Sequence, residues 1–103
     1  MLYFTYSKTG LMRMLSHLEL MQLFRRAFRR AGLPVRYSQG FHPHMKLSLE
    51  RALKVGEEGE NLKGNVELNG EIPNRGNIIE ILNETLPKGV RVITAEVKGP
   101  LGC

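Results

Sequence analysis

Ser16 to Lys46 reads SHLELMQLFRRAFRRAGLPVRYSQGFHPHMK, and most of the side chains suited to an anion lie in it or beside it. Arg25 and Arg29 are i, i+4 neighbours on a helical pattern, as are Arg26 and Arg30. Like charges at that spacing cost about 0.2–0.5 kcal/mol per pair. Glu19, the nearest carboxylate, is more than a turn away. Such a cluster suits phosphate, which a guanidinium meets with a planar two-donor fork. The competing reading is a solvated helix face with cations near the C-terminus, where the helix dipole favours them.

Ser38 to Lys46 (SQGFHPHMK) is denser in chemistry. Gly40 permits a positive φ or a close backbone approach. Phe41 offers a face on which a base can stack. Gln39, His42 and His44 can meet base edges or phosphates, Lys46 adds charge, and Pro43 holds His42 extended. The competing reading is a structured turn with Phe41 packed inward and the histidines as bystanders.

The same histidines admit two other chemistries. His42-x-His44 spacing suits two metal ligands on an extended segment, but no third ligand has a supporting pattern. His17 reads as the first helical residue. Metal-free RNA cleavage needs an acid and a base that titrate near neutrality, and His42 and His44 can supply them. Tyr3, Tyr6 and Tyr37 read as half-buried strand residues. The chain has no P-loop, GxGxxG, HExxH or GxSxG motif.

Composition narrows the partners. The 103 residues suit one domain with one modest core. Residues 1–54 carry ten Lys/Arg and two Glu, a balance of +8; residues 55–103 carry five Lys/Arg and eight Glu, a balance of −3. A regional positive field attracts a specific anionic partner better than a uniform one. The lack of any Asp disfavours an Asp-rich Mg²⁺ site. Cys103, the only cysteine, excludes an internal disulfide or a CxxC site and points to a reducing, cytoplasmic setting. The N-terminus lacks a signal-peptide h-region and no apolar run approaches a membrane span. The VKGPLGC ending has no clear stop, so a longer parent chain is an open expectation.

The elements that must hold these residues follow from periodicity. Leu2–Ser7 alternates, with Leu2, Phe4 and Tyr6 on one face, and predicts a strand. Leu11–Leu15 is a lead-in turn or a second short extended piece. Ser16-His17-Leu18-Glu19 is a capping box. Leu20, Phe24, Ala27 and Ala31 continue a helix over about 17–31, which Gly32 and Pro34 end. Val35–Ser38 reads as extended, and Met45–Leu49 as a strand. Glu57–Glu60 predicts an exposed hairpin turn and Asn65–Ile72 a half-solvated strand. Pro73–Gly76 breaks the chain. Asn77 and Glu80 repeat the cap pattern ahead of a short helix bearing Ile78, Ile79, Leu82 and Leu86. Val90–Lys98 closes as a strand. The order β-α-β-β-α-β predicts an α+β, ferredoxin-like split βαβ sandwich: two helices on one face of a four-stranded antiparallel sheet. The extended piece at Val35–Ser38 strains that scheme.

Residues from roughly 4 to 56 resemble the N-terminal part of a bacterial domain of unknown function associated with radical S-adenosylmethionine proteins. That family's core runs SKxGxxRxLSHLDLxRxFxRAxRRAGLPxxYSQGFxPxPK. Ser7, Lys8, Gly10, Arg13, Ser16, His17, Leu18, Phe24, Arg26, Ala27, Arg29, Arg30, Gly32, Tyr37, Ser38, Gln39, Gly40, Phe41, Pro43 and Lys46 stand at its positions. Glu19 replaces a common Asp and His42 a common Asn, and Met45 follows His44. An Asn at position 42 cannot be a general base, which weakens the nuclease reading. The resemblance implies a radical-enzyme partner and supplies no activity.

The resulting expectation is a non-enzymatic, cofactor-free accessory domain over 1–103, or the N-terminal half of a longer one, that binds RNA. Arg25, Arg26, Arg29, Arg30 and Lys46 contact phosphates. Gln39, Gly40, Phe41, His42 and His44 form the loop surface, which Arg13, Lys8 and Arg36 extend. The alternatives are an endoribonuclease using His42 or His44, and a protein-interaction module whose arginines meet an acidic surface. Oligomeric state is left open.

Overall fold

The computed structural model describes residues 1–50, 54–72 and 77–98. Its elements run β1 (Leu2–Lys8), a 3₁₀ turn (Gly10–Met14), α1 (His17–Arg30), β2 (Leu47–Leu49), β3 (Gly59–Val66), α2 (Ile78–Thr85) and β4 (Val90–Val97). The sheet order is β2-β3-β1-β4, and all three pairings are antiparallel. β1 therefore runs parallel to β2 across β3, and β3 parallel to β4 across β1. Each of those parallel pairs is connected through a helix, which makes the chain a ferredoxin-like split βαβ sandwich.

The core lies between the sheet and the helices. Leu2, Phe4 and Tyr6 face inward from β1, while Leu20, Phe24, Ala27 and Phe28 face them from α1. Phe4 packs tilted on Phe24 and edge-on to Phe28, with ring centroids 5.3 and 5.4 Å apart; Tyr6 meets Phe24 edge-on at 4.9 Å. These aromatic pairs add to plain area burial. Leu82 of α2 and Val90 and Val92 of β4 complete the cluster.

The first helix has the ends its residues predict. Glu19 N–H donates to Ser16 Oγ at 3.1 Å, and Ser16 N–H donates to Glu19 Oε1 at 3.1 Å. At the other end Gly32 takes φ 73°, and Leu33 N–H and Gly32 N–H reach the carbonyls of Phe28 and Arg29. This is a Schellman closure, which only a residue at ease in the left-handed region makes cheaply.

Of the two expectations for the segment before α1, the chain takes the lead-in turn: Gly10–Met14 is a 3₁₀ turn, stitched to the Lys54–Glu58 segment by Gly56 N–H to the Arg13 carbonyl at 2.7 Å and Gly10 N–H to Glu58 Oε2 at 2.9 Å. Three elements differ from the sequence expectation. The Lys54–Glu58 bend is closed by Glu57 N–H on the Lys54 carbonyl, so Gly59 and Glu60 already belong to β3 rather than to a turn. β3 is Gly59–Val66, not Asn65–Ile72. The apolar-polar alternation after Val66 continues as a single bridge, Val35 to Leu68, because the chain there leaves the sheet. Asn77 precedes α2, but its side chain makes no capping hydrogen bond. The break expected at Pro73–Gly76 lies outside the described residues.

Gly64 accounts for β3's weak strand signature. A Cβ there would stand 2.5 Å from Phe4 Cζ and 2.8 Å from Leu49 Cδ2. The Phe4 ring occupies the space a side chain would need, so strand propensity is given up for aromatic packing.

Candidate nucleic-acid interface

Val35–Lys46 forms a hairpin at the corner of the sheet, which resolves the strain that Val35–Ser38 placed on the topology. Val35 bridges Leu68 and Tyr37 bridges Met45. Arg36 N–H donates to the Glu67 carbonyl at 2.8 Å and Lys46 N–H to the Arg36 carbonyl at 2.9 Å. Nearer the tip, Ser38 N–H donates to the His44 carbonyl at 2.7 Å, and His44 N–H donates back to Ser38 Oγ at 2.9 Å. Val35 and Met45 anchor the root in the core. The expected loop is thus a hydrogen-bonded projection.

Its tip is bare. Gln39, Gly40, Phe41, His42, Pro43 and His44 are all exposed, and Phe41 is 100% exposed. The inward-packed alternative for Phe41 is therefore not what the chain adopts. Gly40 takes φ 130°, the positive φ that its residue type permits. Tyr37 stands 43% exposed on the first arm. Lys46 is half-exposed and lies 3.6 Å from Glu67, a surface pair worth little that nonetheless offsets part of its charge.

Arg26, Arg29 and Arg30 are exposed on α1, and Arg25 is half-buried. Arg29 Nε donates to the Arg25 carbonyl at 3.4 Å, and Arg29 and Arg30 occupy the last turn, where the helix dipole favours cations. Among the described residues no hydrogen bond or ion pair joins these arginines to the hairpin. The two groups share only a root: α1 ends at Arg30, and Leu33, Val35 and Met45 join Ala27 and Phe28 in the core.

Lys8 departs from its expected role. Its side chain is fully buried in the inward row of β1, and its ammonium donates to the Leu15 carbonyl at 2.6 Å. Strand parity places it there: Leu2, Phe4, Tyr6 and Lys8 alternate onto one face. An ammonium held under the start of α1 cannot meet an outside phosphate, so Lys8 leaves the candidate surface. Arg13 is half-buried and donates from its guanidinium to the Gly10 carbonyl at 2.8 Å, which ties it to its own turn.

The start of α1 is electrostatically tuned. The backbone and side-chain hydrogen bonds with Ser16, with help from the Lys8 charge, hold the Glu19 carboxyl below its usual range. Burial pushes the Tyr6 hydroxyl up to about 12. That hydroxyl and His17 Nδ1 have no hydrogen-bond partner among the described residues. Among those residues no three His, Cys, Asp or Glu side chains gather where a metal ion would sit.

One surface escaped the sequence reading. Tyr3, Thr5 and Ser7 face outward from β1, on the side of the sheet opposite the helices. Tyr3 is 43% exposed, with the Lys98 ammonium 5.8 Å from its ring centroid. The signal was present, because the alternation that buries Leu2, Phe4 and Tyr6 must turn Tyr3 outward.

Fold and surface together define an α+β sandwich with a projecting hairpin. The chain belongs to the family DUF2344, described as an uncharacterised protein conserved in bacteria, whose model matches residues 2–99. Among curated proteins and among solved structures, nothing matches it. No helix among the described residues is long and apolar enough to cross a membrane.

Proposed function

We propose that this chain is an RNA-binding accessory module without catalysis of its own, serving a radical S-adenosylmethionine enzyme. The observation that carries the RNA reading is Phe41, wholly exposed at the tip of a hydrogen-bonded hairpin between Gln39 and His42. An aromatic ring already in water, carried beyond the Ser38–His44 hydrogen bonds, is open to stack on an unpaired base. Arg26, Arg29 and Arg30 supply the phosphate contacts, and Arg36 and Lys46 flank the hairpin root. The radical-enzyme partner rests on the sequence resemblance described above.

Titrating labelled RNA into the protein at two salt concentrations tests the reading. Phosphate contacts predict that log K falls linearly with log[salt], with a slope of about −0.7 per contact on a single strand. Affinity that holds steady as salt rises would sink the RNA reading and favour a protein-interaction module. Cleavage of the RNA by wild type, abolished in His44→Ala, would instead make the hairpin an active site.

A further inference from the structure

We infer that RNA lies along the helix side of the hairpin, passing from the α1 arginines over Tyr37, a second stacking ring, to Phe41. This rests on the RNA-binding reading and deepens it. It adds a contact residue, chooses one face of the hairpin and specifies an unpaired strand.

Register brings the two groups to one end of the molecule. The Lys8 ammonium meets the Leu15 carbonyl just before α1 begins, and Phe28, near the helix's far end, packs on Phe4. The helix therefore runs back along β1 and finishes at the Leu2 end. Leu2 pairs with Val66, and Val66 pairs with Leu47, the residue into which the hairpin feeds. The last turn of α1 and the hairpin root thus lie at the same end of the sheet.

Parity divides the hairpin's side chains. Val35 and Met45 are buried in the core, which lies between the sheet and the helices. Tyr37 is two residues beyond Val35 and bridges Met45, so it stands in the same inward row. That row has run past the core at Tyr37, and the ring is 43% exposed. Arg36 and Lys46 alternate to the opposite face, together with Glu67.

Charge selects the occupant. The helix side carries Arg25, Arg26, Arg29 and Arg30 at this end. Two acids share it. Glu71 follows Asn69, whose N–H donates to the Pro34 carbonyl, and Glu80 stands in the first turn of α2, which Ile78 opens beside Leu2 and Val97. Four cations against these two leave a positive surplus, and it survives if Glu84, a turn further on, is counted as well. None of the four arginines has a carboxylate within ion-pair reach among the described residues. On the opposite face Glu67 lies 3.6 Å from Lys46, and the hairpin offers no ring there.

A strand on the helix side can set phosphates on the arginines and turn its bases to the rings. Tyr37 and Phe41 are four residues apart, hence no more than about 13 Å, so they take nearby bases of one strand. Two rings need two unpaired bases, whereas the bases of a duplex are stacked on one another.

The test uses the full chain and a short fluorescein-labelled oligoadenylate, with a self-complementary RNA duplex as comparison. Tyr37→Leu keeps an apolar side chain over Met45 but removes the ring, and should weaken oligoadenylate binding roughly five- to hundred-fold. Tyr37→Phe should bind as wild type. The protein has three tyrosines and no tryptophan, so unlabelled oligoadenylate should quench tyrosine emission in wild type, and much less in Tyr37→Phe. Arg29→Gln should make the salt slope shallower by about 0.7, and Arg36→Gln should leave it unchanged. An unchanged circular dichroism spectrum verifies the fold of each variant. If Tyr37→Leu binds as wild type while Phe41→Ala is weakened, the helix-side path is wrong and the hairpin reading stands. Full quenching in Tyr37→Phe, a salt slope that responds to Arg36→Gln and not to Arg29→Gln, or equal affinity for the duplex also overturns the path. If wild type binds neither RNA, both readings fall.

Discussion

The side-chain amide of Asn83 takes both backbone hydrogen-bonding groups of Val92: Asn83 Nδ2 donates to the Val92 carbonyl at 3.1 Å, and Val92 N–H donates to Asn83 Oδ1 at 2.7 Å. β4 is an edge strand, and Asn83 belongs to the helix beside it. One side chain from α2 thus satisfies the edge where another chain could otherwise pair. Asn83→Leu should cost about 1–3 kcal/mol in urea unfolding, since two part-buried backbone groups lose their partners. It should also raise concentration-dependent association in analytical ultracentrifugation. A variant as stable and as monomeric as wild type would show that the clamp is incidental.

Gly64 and Phe4 supply a second prediction. Gly64→Ala places a methyl into the Phe4 ring and Leu49, so overpacking should cost about 1–3 kcal/mol. Phe4→Leu leaves a smaller side chain at that contact. In the double variant the two penalties should be less than additive, with a coupling of about 0.5 kcal/mol or more. Strict additivity would mean that the backbone moves instead of the ring.

These two pairs show what was legible in the sequence and what was not. The ends of α1 could be read because Ser16, Glu19 and Gly32 act within a few residues of themselves. β3 was misplaced because its defining glycine answers to Phe4, a partner far away in the chain. Residues 66–70, which have no such partner, carried the better strand pattern. Lys8 was misassigned for a different reason. The alternation of β1 already put it in the inward row, but its charge argued for the surface. The hairpin residues could be read as a unit, whereas its register on Glu67 and Leu68 depends on where β3 ends.

The capping box makes stability pH-dependent at the acid end. Hydrogen bonds from Ser16 depress the Glu19 carboxyl in the folded chain relative to the unfolded one. Its contribution is therefore complete above the unfolded value and disappears as pH falls through the folded one. Urea midpoints collected across the acid range should show Glu19→Gln with a flatter acid limb than wild type. Ser16→Ala should lose about 1 kcal/mol of N-cap stabilisation at neutral pH. Parallel limbs in wild type and Glu19→Gln would remove Glu19 from the acid response.

Tyr6 acts at the other end of the scale. Burial raises its hydroxyl from the ordinary 10.0 to about 12 in the fold, so its contribution is complete below pH ~10 and fades as pH rises through ~12. Ultraviolet titration should show one tyrosine ionising late, and Tyr6→Phe should abolish that component. Because the hydroxyl has no partner among the described residues, the same substitution should leave neutral-pH stability unchanged or raise it. A large loss in Tyr6→Phe would reveal a hydrogen bond that the geometry does not contain.

Lys8 and the α1 arginines separate core charge from surface charge. Arg29→Gln and Arg30→Gln remove exposed cations, so each should flatten the salt slope of RNA binding by about 0.7 with little change in unfolding free energy. Lys8→Ala should do the reverse. Its buried stem leaves a cavity and the Leu15 carbonyl loses its donor, which should cost about 1–3 kcal/mol. The salt slope measured on the folded fraction should stay at the wild-type value, because the ammonium points inward. A Lys8 variant that keeps its stability but loses salt dependence would mean that this lysine swings out to the ligand.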